Sequence, residues 1–217
     1  MTGAAPGPTP ADAIAPVRVY VAAGSNVDAE RNLALAAREL RHVFGAVRFS
    51  PAYRNVAVGF EGPDFINLVA AFETTRGVHE VVAELQRIEG LCGRARDAPK
   101  WAPRSMDLDI LLYGATLSDQ PGLVLPRPDL VKRPYMLGPM ADVAPGERHP
   151  TLGRKMGDLW AEFARDAHPM EVVRLDLGAG DGRGRGEGPI DGHGHAEGAG
   201  AGDDGEGAGD GDIAPRR

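Results

Sequence analysis

The order in which strand-like and helix-like hydrophobic patterns follow one another constrains the fold of this chain more than any other feature. Short apolar and β-branched runs predict strands, and two segments with apolar residues every three to four positions predict amphipathic helices. The predicted strands cover residues 17–23, 47–53, 65–75 and 106–113. One predicted helix covers residues 28–44 and a second lies around residues 78–88, so the order is strand, helix, strand, strand, helix, strand.

This order predicts an α+β fold with a ferredoxin-like βαββαβ core. Such a core has an antiparallel sheet with both helices on one face. A helical extension follows towards the C-terminus, including a predicted helix at residues 157–165.

The last forty residues, 178–217, differ in composition from the rest of the chain. They contain 15 of the 30 glycines, with nine Asp or Glu and four Arg. A segment with so little apolar surface cannot offset the entropy lost on ordering its backbone, so we predict a disordered tail. Residues 1–16 contain four prolines and predict a flexible N-terminal flank. One folded domain is expected at residues 17–177.

Charge and composition argue against nucleic acid and membranes as binding partners. The formal net charge is −7, and nine acidic residues less four arginines leave −5 of it in the tail. The folded part, near −2, has no overall positive field to attract nucleic acid, and no apolar run reaches the length that crosses a bilayer. The start of the chain lacks a signal-peptide pattern, and a single cysteine, Cys92, excludes an internal disulfide. We expect a cytoplasmic monomer that acts on small molecules.

The segment from residue 93 to residue 109 carries the strongest chemical pattern. Its Gly- and Pro-containing loop holds four cations: Arg94, Arg96, Lys100 and Arg104. Asp107 and Asp109 follow at i and i+2 of a predicted strand, so their side chains share a face with Cα atoms about 6.5 Å apart. The opposite, buried face is predicted to carry Leu108, Ile110 and Leu112. Such an acid pair suits a hard cation such as Mg²⁺, and cations beside it are typical of polyphosphate chemistry.

Each part of this pattern also has an ordinary explanation. Two acids on an amphipathic strand are usually a solvated face, and basic loops are common. A basic loop that contains an aromatic residue, here Trp101, is also typical of single-strand nucleic-acid binding. The carboxylates and the near-neutral domain argue against that binding, and the combined pattern favours a metal-dependent site.

The run KWAPRSMDLDIL at residues 100–111 resembles the signature of the 6-hydroxymethyl-7,8-dihydropterin pyrophosphokinase family. Blocks similar to the family's pattern also occur in its order at residues 24–26, 53–54, 64–67 and 86–89. The resemblance covers about residues 17–163. It implies a Mg²⁺-dependent enzyme that transfers diphosphate from ATP to the pterin and releases AMP, a step of folate biosynthesis.

The resemblance also implies roles for individual residues. Asp107 and Asp109 would hold two Mg²⁺ ions beside ATP, the co-substrate. The catalytic arginines would be Arg94, Arg96 and Arg104. The other residues implied to contact ATP are Gln86, Glu89, Lys100, Arg127 and Arg133. The residues implied to contact the pterin are Asn55, Val58, Phe65, Asn67, Trp101 and Tyr135.

Some positions depart from the family pattern or have a second explanation. Arg127 stands where many members have a histidine, and Phe65 stands where some have a tyrosine. Without the resemblance, Phe65 and Tyr135 are typical of core packing, and Glu89 is equally explained as a surface carboxylate. Gly24 is expected to serve a turn.

Two other functions share part of the pattern. A metal-dependent phosphodiesterase or nuclease would use the same acids, but it leaves the two rings and Asn67 unexplained. A non-catalytic nucleotide- or pterin-binding module would not require both the acid pair and the arginines. The pattern as a whole favours the diphosphotransferase.

Overall fold

A computed structural model describes residues 15–55, 63–93, 105–164 and 169–178 of the chain. The elements in these ranges are β1 Val17–Ser25, α1 Ala29–Phe44, β2 Arg48–Phe49, β3 Ala52–Asn55, β4 Phe65–Thr74, α2 Val78–Leu91, β5 Asp107–Tyr113, β6 Ser118–Gln120, β7 Leu123–Leu125, α3 Pro134–Val143, α4 Met156–Ala161 and β8 Glu171–Val173. No helix in these ranges is long and apolar enough to span a membrane.

The main sheet has the strand order β5-β1-β4-β3-β8, and β2 also pairs with β4. Its pairings are antiparallel. With β1 and β4 in the centre and the first two helices on one face, this is the predicted ferredoxin-like arrangement. The strand that carries the two acids, β5, lies at an edge of the sheet, and β6 and β7 form a separate two-stranded sheet.

The core on one face is built by the two predicted helices. Leu33 and Leu40 of α1 and Leu85 and Ile88 of α2 pack with alternate residues of the central strands, such as Val21. These apolar residues recur every three to four positions, so each helix packs one apolar face against the sheet. Burying each of these side chains stabilises the fold by about 1.5–3 kcal/mol.

The opposite face of the sheet packs against α3 and α4. Tyr20 of β1 and Val69 of β4 contact a second cluster that includes Leu137, Met140 and Met156. Because neighbouring residues of a strand point to opposite faces, β1 and β4 supply both clusters. The sheet is therefore covered on both sides, which explains its almost wholly apolar central strands.

The predicted strand at 47–53 is two short strands, β2 and β3, separated by Ser50 and Pro51. Pro51 has no N–H to donate to a ladder. Ser50 instead exchanges bonds with Val69: its N–H donates to the Val69 carbonyl, and its hydroxyl oxygen accepts from the Val69 N–H, each at 2.9 Å. The predicted helix at 157–165 is shorter than expected and ends at Ala161.

The prediction that Leu112 shares a face with Leu108 and Ile110 is wrong. The register between β1 and β5 shifts, so that Val21 pairs with Ile110 but Tyr20 pairs with Leu112. One extra residue in β5 reverses the alternation, and Leu112 packs in the second cluster. The shift lies beyond Asp109, so it leaves the two acids in phase.

The sequence did not predict β8 or the β6–β7 pair. After β8, Leu175 and Leu177 pack against the first core cluster, and Nη1 of Arg41 donates to the Leu177 carbonyl at 2.5 Å. The predicted flank and tail fall mainly on residues 1–14 and 179–217, which lie outside the described residues. Their boundaries stay predictions.

Candidate active site

One row of residues across the main sheet forms the base of the candidate site. The register pairs Gly24 of β1 with Asp107 on one side and with Asn67 of β4 on the other, and it pairs Asn67 with Tyr53 of β3. Residues directly opposite one another on antiparallel strands point to the same face. Asp107, Gly24, Asn67 and Tyr53 therefore share the face on which α3 packs.

Gly24 is a strand residue, which corrects the expectation that it serves a turn. A Cβ atom at this position would lie 2.6 Å from Oδ1 of Asn67. The Asn67 amide thus crosses directly over the bare backbone of Gly24. It also donates from Nδ2 to Oδ1 of Asn55, and Phe65 pairs with Asn55 in the sheet. Three residues predicted to contact the pterin are therefore neighbours.

The two acids lie on the same face of β5, as predicted from their spacing. Asp107 and Asp109 pair with Gly24 and Ala22 of β1, two positions apart. Between them, the N–H of Leu108 donates to Oε1 of Glu89 on α2 at 2.8 Å. Glu89 therefore fixes the edge strand between the two acids, a contact that a surface carboxylate would not make.

Arg127 reaches the acid pair from the segment after β7. Its Nη1 lies 2.6 Å from Oδ1 of Asp109. Asp129 lies 3.9 Å from Nε of Arg127 and 3.9 Å from Nε of Arg133, the residue that precedes α3. Tyr135 occupies the first turn of α3 and packs against the second cluster. A chain of alternating charges therefore runs from the acid pair to the start of α3.

An open cleft with a cavity volume of about 190 Å³ lies between α2, β5 and the β6–β7 pair. Its polar lining contains Gln86, Glu89, Asp107, Asp109 and Arg127. Its apolar lining contains Val82, Leu85, Ile110, Leu123, Val124 and Leu125. Apolar walls beside a few convergent polar groups are typical of small-molecule sites.

The donor set suits a magnesium ion that is shared with a substrate. Within the described ranges, no group of three or more His, Cys, Asp or Glu residues forms a metal-binding cluster. Mg²⁺ often takes only one or two carboxylates from a protein and completes its shell with water and phosphate oxygens. Asp107 and Asp109, in phase beside an open cleft, meet that requirement.

Six of the predicted site residues, Val58, Arg94, Arg96, Lys100, Trp101 and Arg104, lie outside the described residues. Five of the others line the cleft around the acid pair: Gln86, Glu89, Asp107, Asp109 and Arg127. Three lie together beside Gly24, namely Asn55, Phe65 and Asn67. The last two, Arg133 and Tyr135, lie at the start of α3.

Two contacts that stabilise the strands around the site were not predicted from the sequence. The hydroxyl of Tyr53, in the row of Asn67, donates to Oδ2 of Asp142 on α3, and burial raises the pKa of Tyr53, so the hydroxyl stays a donor. Ser25 donates from Oγ to the carbonyl of Ser105, just before β5, at 2.6 Å. Ser25 belongs to the family-like block at residues 24–26, but nothing in the spacing of that block indicated that its partner is Ser105.

The site excludes a role for Cys92 as a nucleophile. Burial raises the pKa of its thiol to about 11, with smaller contributions from Glu89 and Glu39. Its Sγ lies 3.6 Å from the Asn32 carbonyl. The thiol stays protonated near neutral pH and serves as a packing residue.

An acid pair suited to Mg²⁺, a neighbouring arginine and an open, partly apolar cleft on a ferredoxin-like sheet are typical of one class of protein, the enzymes that transfer phosphoryl groups from a nucleotide. The model of the 7,8-dihydro-6-hydroxymethylpterin-pyrophosphokinase (HPPK) family matches residues 20–145, more than half of the chain. The chain therefore belongs to the HPPK family, as the resemblance implied.

Individual relatives agree with the family match. The 2-amino-4-hydroxy-6-hydroxymethyldihydropteridine pyrophosphokinase of Pseudomonas aeruginosa is 41% identical over 148 residues, which are 66% of this chain and 90% of the relative. The enzyme of the same name from Aquifex aeolicus is 33% identical over 146 residues, which are 66% of this chain and 91% of the relative. Both alignments cover nearly the whole relative.

Solved structures agree in fold. A crystal structure of a Plasmodium falciparum HPPK-DHPS triple mutant superposes with a TM-score of 0.56 at 12% identity, over 70% of this chain and 45% of that chain. The wild-type HPPK-DHPS of that organism gives a TM-score of 0.53 at 13% identity, over 70% of this chain and 42% of that chain. At this identity the likeness concerns the fold alone, and this chain spans less than half of either protein.

Proposed function

We propose that this chain transfers the diphosphate of ATP to the hydroxymethyl oxygen of 6-hydroxymethyl-7,8-dihydropterin and releases AMP, a step of folate biosynthesis. Membership of the HPPK family supports the reaction. The observation that carries the proposal is the position of the acid pair: Asp107 lies across Gly24 from Asn67, in one row on one face. A metal-bound polyphosphate and a flat heterocycle would therefore meet above that row.

On the nucleotide side, the cleft beside β5 takes ATP. Its apolar wall, with Val82 and Leu123, suits the adenine ring, and its polar end leads to Asp107 and Asp109. These acids would hold two Mg²⁺ ions. The positive charge of the bound metal would offset the negative charge of the phosphoryl oxygens. The remaining residues in this group would orient the nucleotide and its phosphates: Gln86, Glu89, Arg94, Arg96, Lys100, Arg104, Arg127 and Arg133.

On the pterin side, the Asn67 amide reads the polar edge of the heterocycle. Its position above Gly24, bonded to Asn55, fixes its orientation before the substrate arrives. Phe65 and Tyr135 supply ring faces for stacking. Backbone groups near Val58 complete the edge contacts, and Trp101 covers the bound ring.

The chemical step needs alignment more than a strong base. The hydroxymethyl oxygen attacks the β-phosphorus of ATP and forms a new O–P bond while the bond from that phosphorus to the α,β-bridging oxygen breaks. AMP leaves with the bridging oxygen, and the hydroxyl proton is lost to solvent. Transfers of this kind are accelerated mainly by positioning and by electrostatic stabilisation of the phosphoryl oxygens. In this proposal the segment at residues 94–104 would exclude water from the bound substrates and so limit hydrolysis of ATP.

The test is an assay with ATP, Mg²⁺ and 6-hydroxymethyl-7,8-dihydropterin in which chromatography resolves AMP from ADP. The proposal predicts AMP that depends on both the pterin and Mg²⁺. Formation of ADP would mean transfer of a single phosphoryl group. Nucleotide turnover without pterin would favour the phosphodiesterase or hydrolase alternative, and binding of both ligands without turnover would favour the binding module.

We further propose that the protein acts as a monomer in the cytoplasm, on these small molecules and without nucleic acid or membrane. Both substrates are small polar molecules, which supports this setting. Light scattering of the purified chain should give a mass near 22.9 kDa. A mass near twice that value would contradict the monomer.

A further inference from the structure

Arg127 occupies an oxygen that a metal ion at the acid pair would need. Its Nη1 lies 2.6 Å from Oδ1 of Asp109, and the two side chains are only 35% and 23% exposed. The Arg127 N–H donates to the Leu111 carbonyl of β5 at 2.9 Å. The strand that carries Asp109 therefore also fixes the backbone from which the guanidinium reaches it.

This contact competes with metal binding. A charge-assisted bond between guanidinium and carboxylate belongs to the strong class of hydrogen bonds, and partial burial reduces its screening by water. A divalent cation approaching Asp109 meets a positive charge that already holds the ligand oxygen. A neutral side chain at this position would not oppose the ion in the same way.

A second carboxylate gives the guanidinium an alternative partner. Oδ2 of Asp129 lies 3.9 Å from Nε of Arg127, and Oδ1 of Asp129 lies 3.9 Å from Nε of Arg133. Arg127 thus lies between Asp109 and Asp129. It can leave Asp109 and still keep a negative partner, and it would then lie next to the second arginine proposed for the phosphates.

We propose that Arg127 is a built-in counter-cation of the acid pair. It holds Asp109 while the metal is absent, and it moves towards Asp129 and the phosphates when metal and nucleotide bind together. This inference rests on the proposed metal role of Asp109. It makes metal binding weak without nucleotide and strengthens the coupling between the two ligands, with Arg127 acting as a positioning residue.

The experiment measures the affinity for Mn²⁺ without nucleotide, by electron paramagnetic resonance of the free ion at pH 8 with the full chain. Arg127→Gln should bind Mn²⁺ about tenfold more tightly than the wild type, within the usual range of coupling between sites. Arg127→Lys keeps the charge and should change the affinity by less than about threefold. Arg18→Gln removes an exposed arginine that pairs with Glu73 at 2.8 Å far from the acids, and it should change nothing.

A second titration adds a non-hydrolysable ATP analogue. The analogue should increase Mn²⁺ affinity in both proteins, but by a smaller factor in Arg127→Gln, since the positive charge that opposes the ion is already gone there. Arg127→His, neutral at pH 8, should resemble Arg127→Gln and replaces it if that variant melts below the assay temperature.

Equal or weaker nucleotide-free Mn²⁺ binding in folded Arg127→Gln or Arg127→His would overturn the inference, and the proposed function would survive if the analogue still recruits Mn²⁺. If no protein binds Mn²⁺ even with the analogue, the metal role of the acid pair fails, and the inference fails with it.

Discussion

At the scale of the residue, the proposed pterin side of the site depends on a glycine, which has no side chain. Gly24 lies under the Asn67 amide, and a Cβ atom there would come within 2.6 Å of Oδ1. The same amide donates to Asn55. The bare backbone therefore sets where the proposed edge-reading group lies, although Gly24 itself offers no functional atom beyond its backbone.

Gly24→Ala should reduce pterin binding while leaving the fold nearly unchanged. The new methyl group pushes the buried Asn67 amide away from Asn55, so the melting temperature should fall by a few degrees while the strand pairing is kept. The displaced amide leaves polar groups without partners, at a cost of about 1–3 kcal/mol, which corresponds to an affinity loss of about tenfold or more. Calorimetric titration with the pterin measures the loss.

Gly90→Ala in α2 is the matched control, because nothing lies within 4 Å of a Cβ at that position. It should bind the pterin normally and gain about 0.5–1 kcal/mol of stability from the better helix former. Normal pterin affinity in Gly24→Ala would contradict the role of the glycine.

The residue scale also shows what spacing can and cannot predict. The shared face of Asp107 and Asp109 follows from the two-residue period of a strand, so the sequence predicted it. The contact of Arg127 with Asp109 joins residues 18 positions apart through the path of the β6–β7 segment. No local pattern encodes that path, so the residue was predicted for ATP alone.

At the scale of the element, α2 is tied to the edge of the sheet by one carboxylate. Glu89 accepts from the Leu108 N–H, which lies between the two acids. An edge strand leaves backbone groups without a neighbouring strand, and here a helix supplies the acceptor. The position of the acid pair therefore depends on α2 as well as on β1.

Glu89→Ala should lower the free energy of unfolding by about 1–3 kcal/mol, because a partly buried N–H loses its acceptor. Glu89→Gln keeps a carbonyl oxygen and should lose less. Glu84→Ala, on the same helix, removes partly exposed ion pairs with Arg87 and Arg76 and should cost less than about 1 kcal/mol. Urea denaturation compares the three variants. If Glu89→Ala were as stable as Glu84→Ala, the hydrogen bond from the Leu108 N–H to Glu89 would contribute nothing measurable to stability.

The predicted element boundaries agree with the structure where a hydrophobic periodicity extends over many residues. They differ from it where strand pairing sets the boundaries. The spacing of Leu33 and Leu40 predicted α1 almost to its ends. Pro51 within the 47–53 run was a visible signal for the break between β2 and β3. The register shift that moves Leu112 to the other face arises only when β5 pairs with β1, so the strand's own sequence could not reveal it.

At the scale of the whole molecule, the packed C-terminal segment reaches Leu177. Leu175 and Leu177 pack against the core, and Arg41 donates to the Leu177 carbonyl. Composition predicted an end of the domain at residue 177, because the apolar residues of the chain become rare after it. The three-residue strand β8, by contrast, is too short for any periodicity to indicate.

Deleting residues 179–217 should leave both the melting temperature and the pterin-dependent formation of AMP unchanged, because these residues are predicted to contribute nothing to the core. Deleting residues 174–217 also removes Leu175 and Leu177, and it should lower the melting temperature by several degrees. Scanning calorimetry compares the two truncated chains. A large loss of activity in the shorter deletion would show that the tail has a role in catalysis.

The central claim is that two acids on one face of β5 carry the metal-dependent chemistry, and the rate of pterin-dependent AMP formation in Asp107→Asn and Asp109→Asn tests it most directly. Asparagine keeps the shape and removes the charge, so kcat should fall at least about 100-fold in each variant while the melting temperature stays close to that of the wild type. Asp119→Asn, in the exposed middle of β6, should keep full activity. Near-normal kcat in either Asp107→Asn or Asp109→Asn would contradict the account.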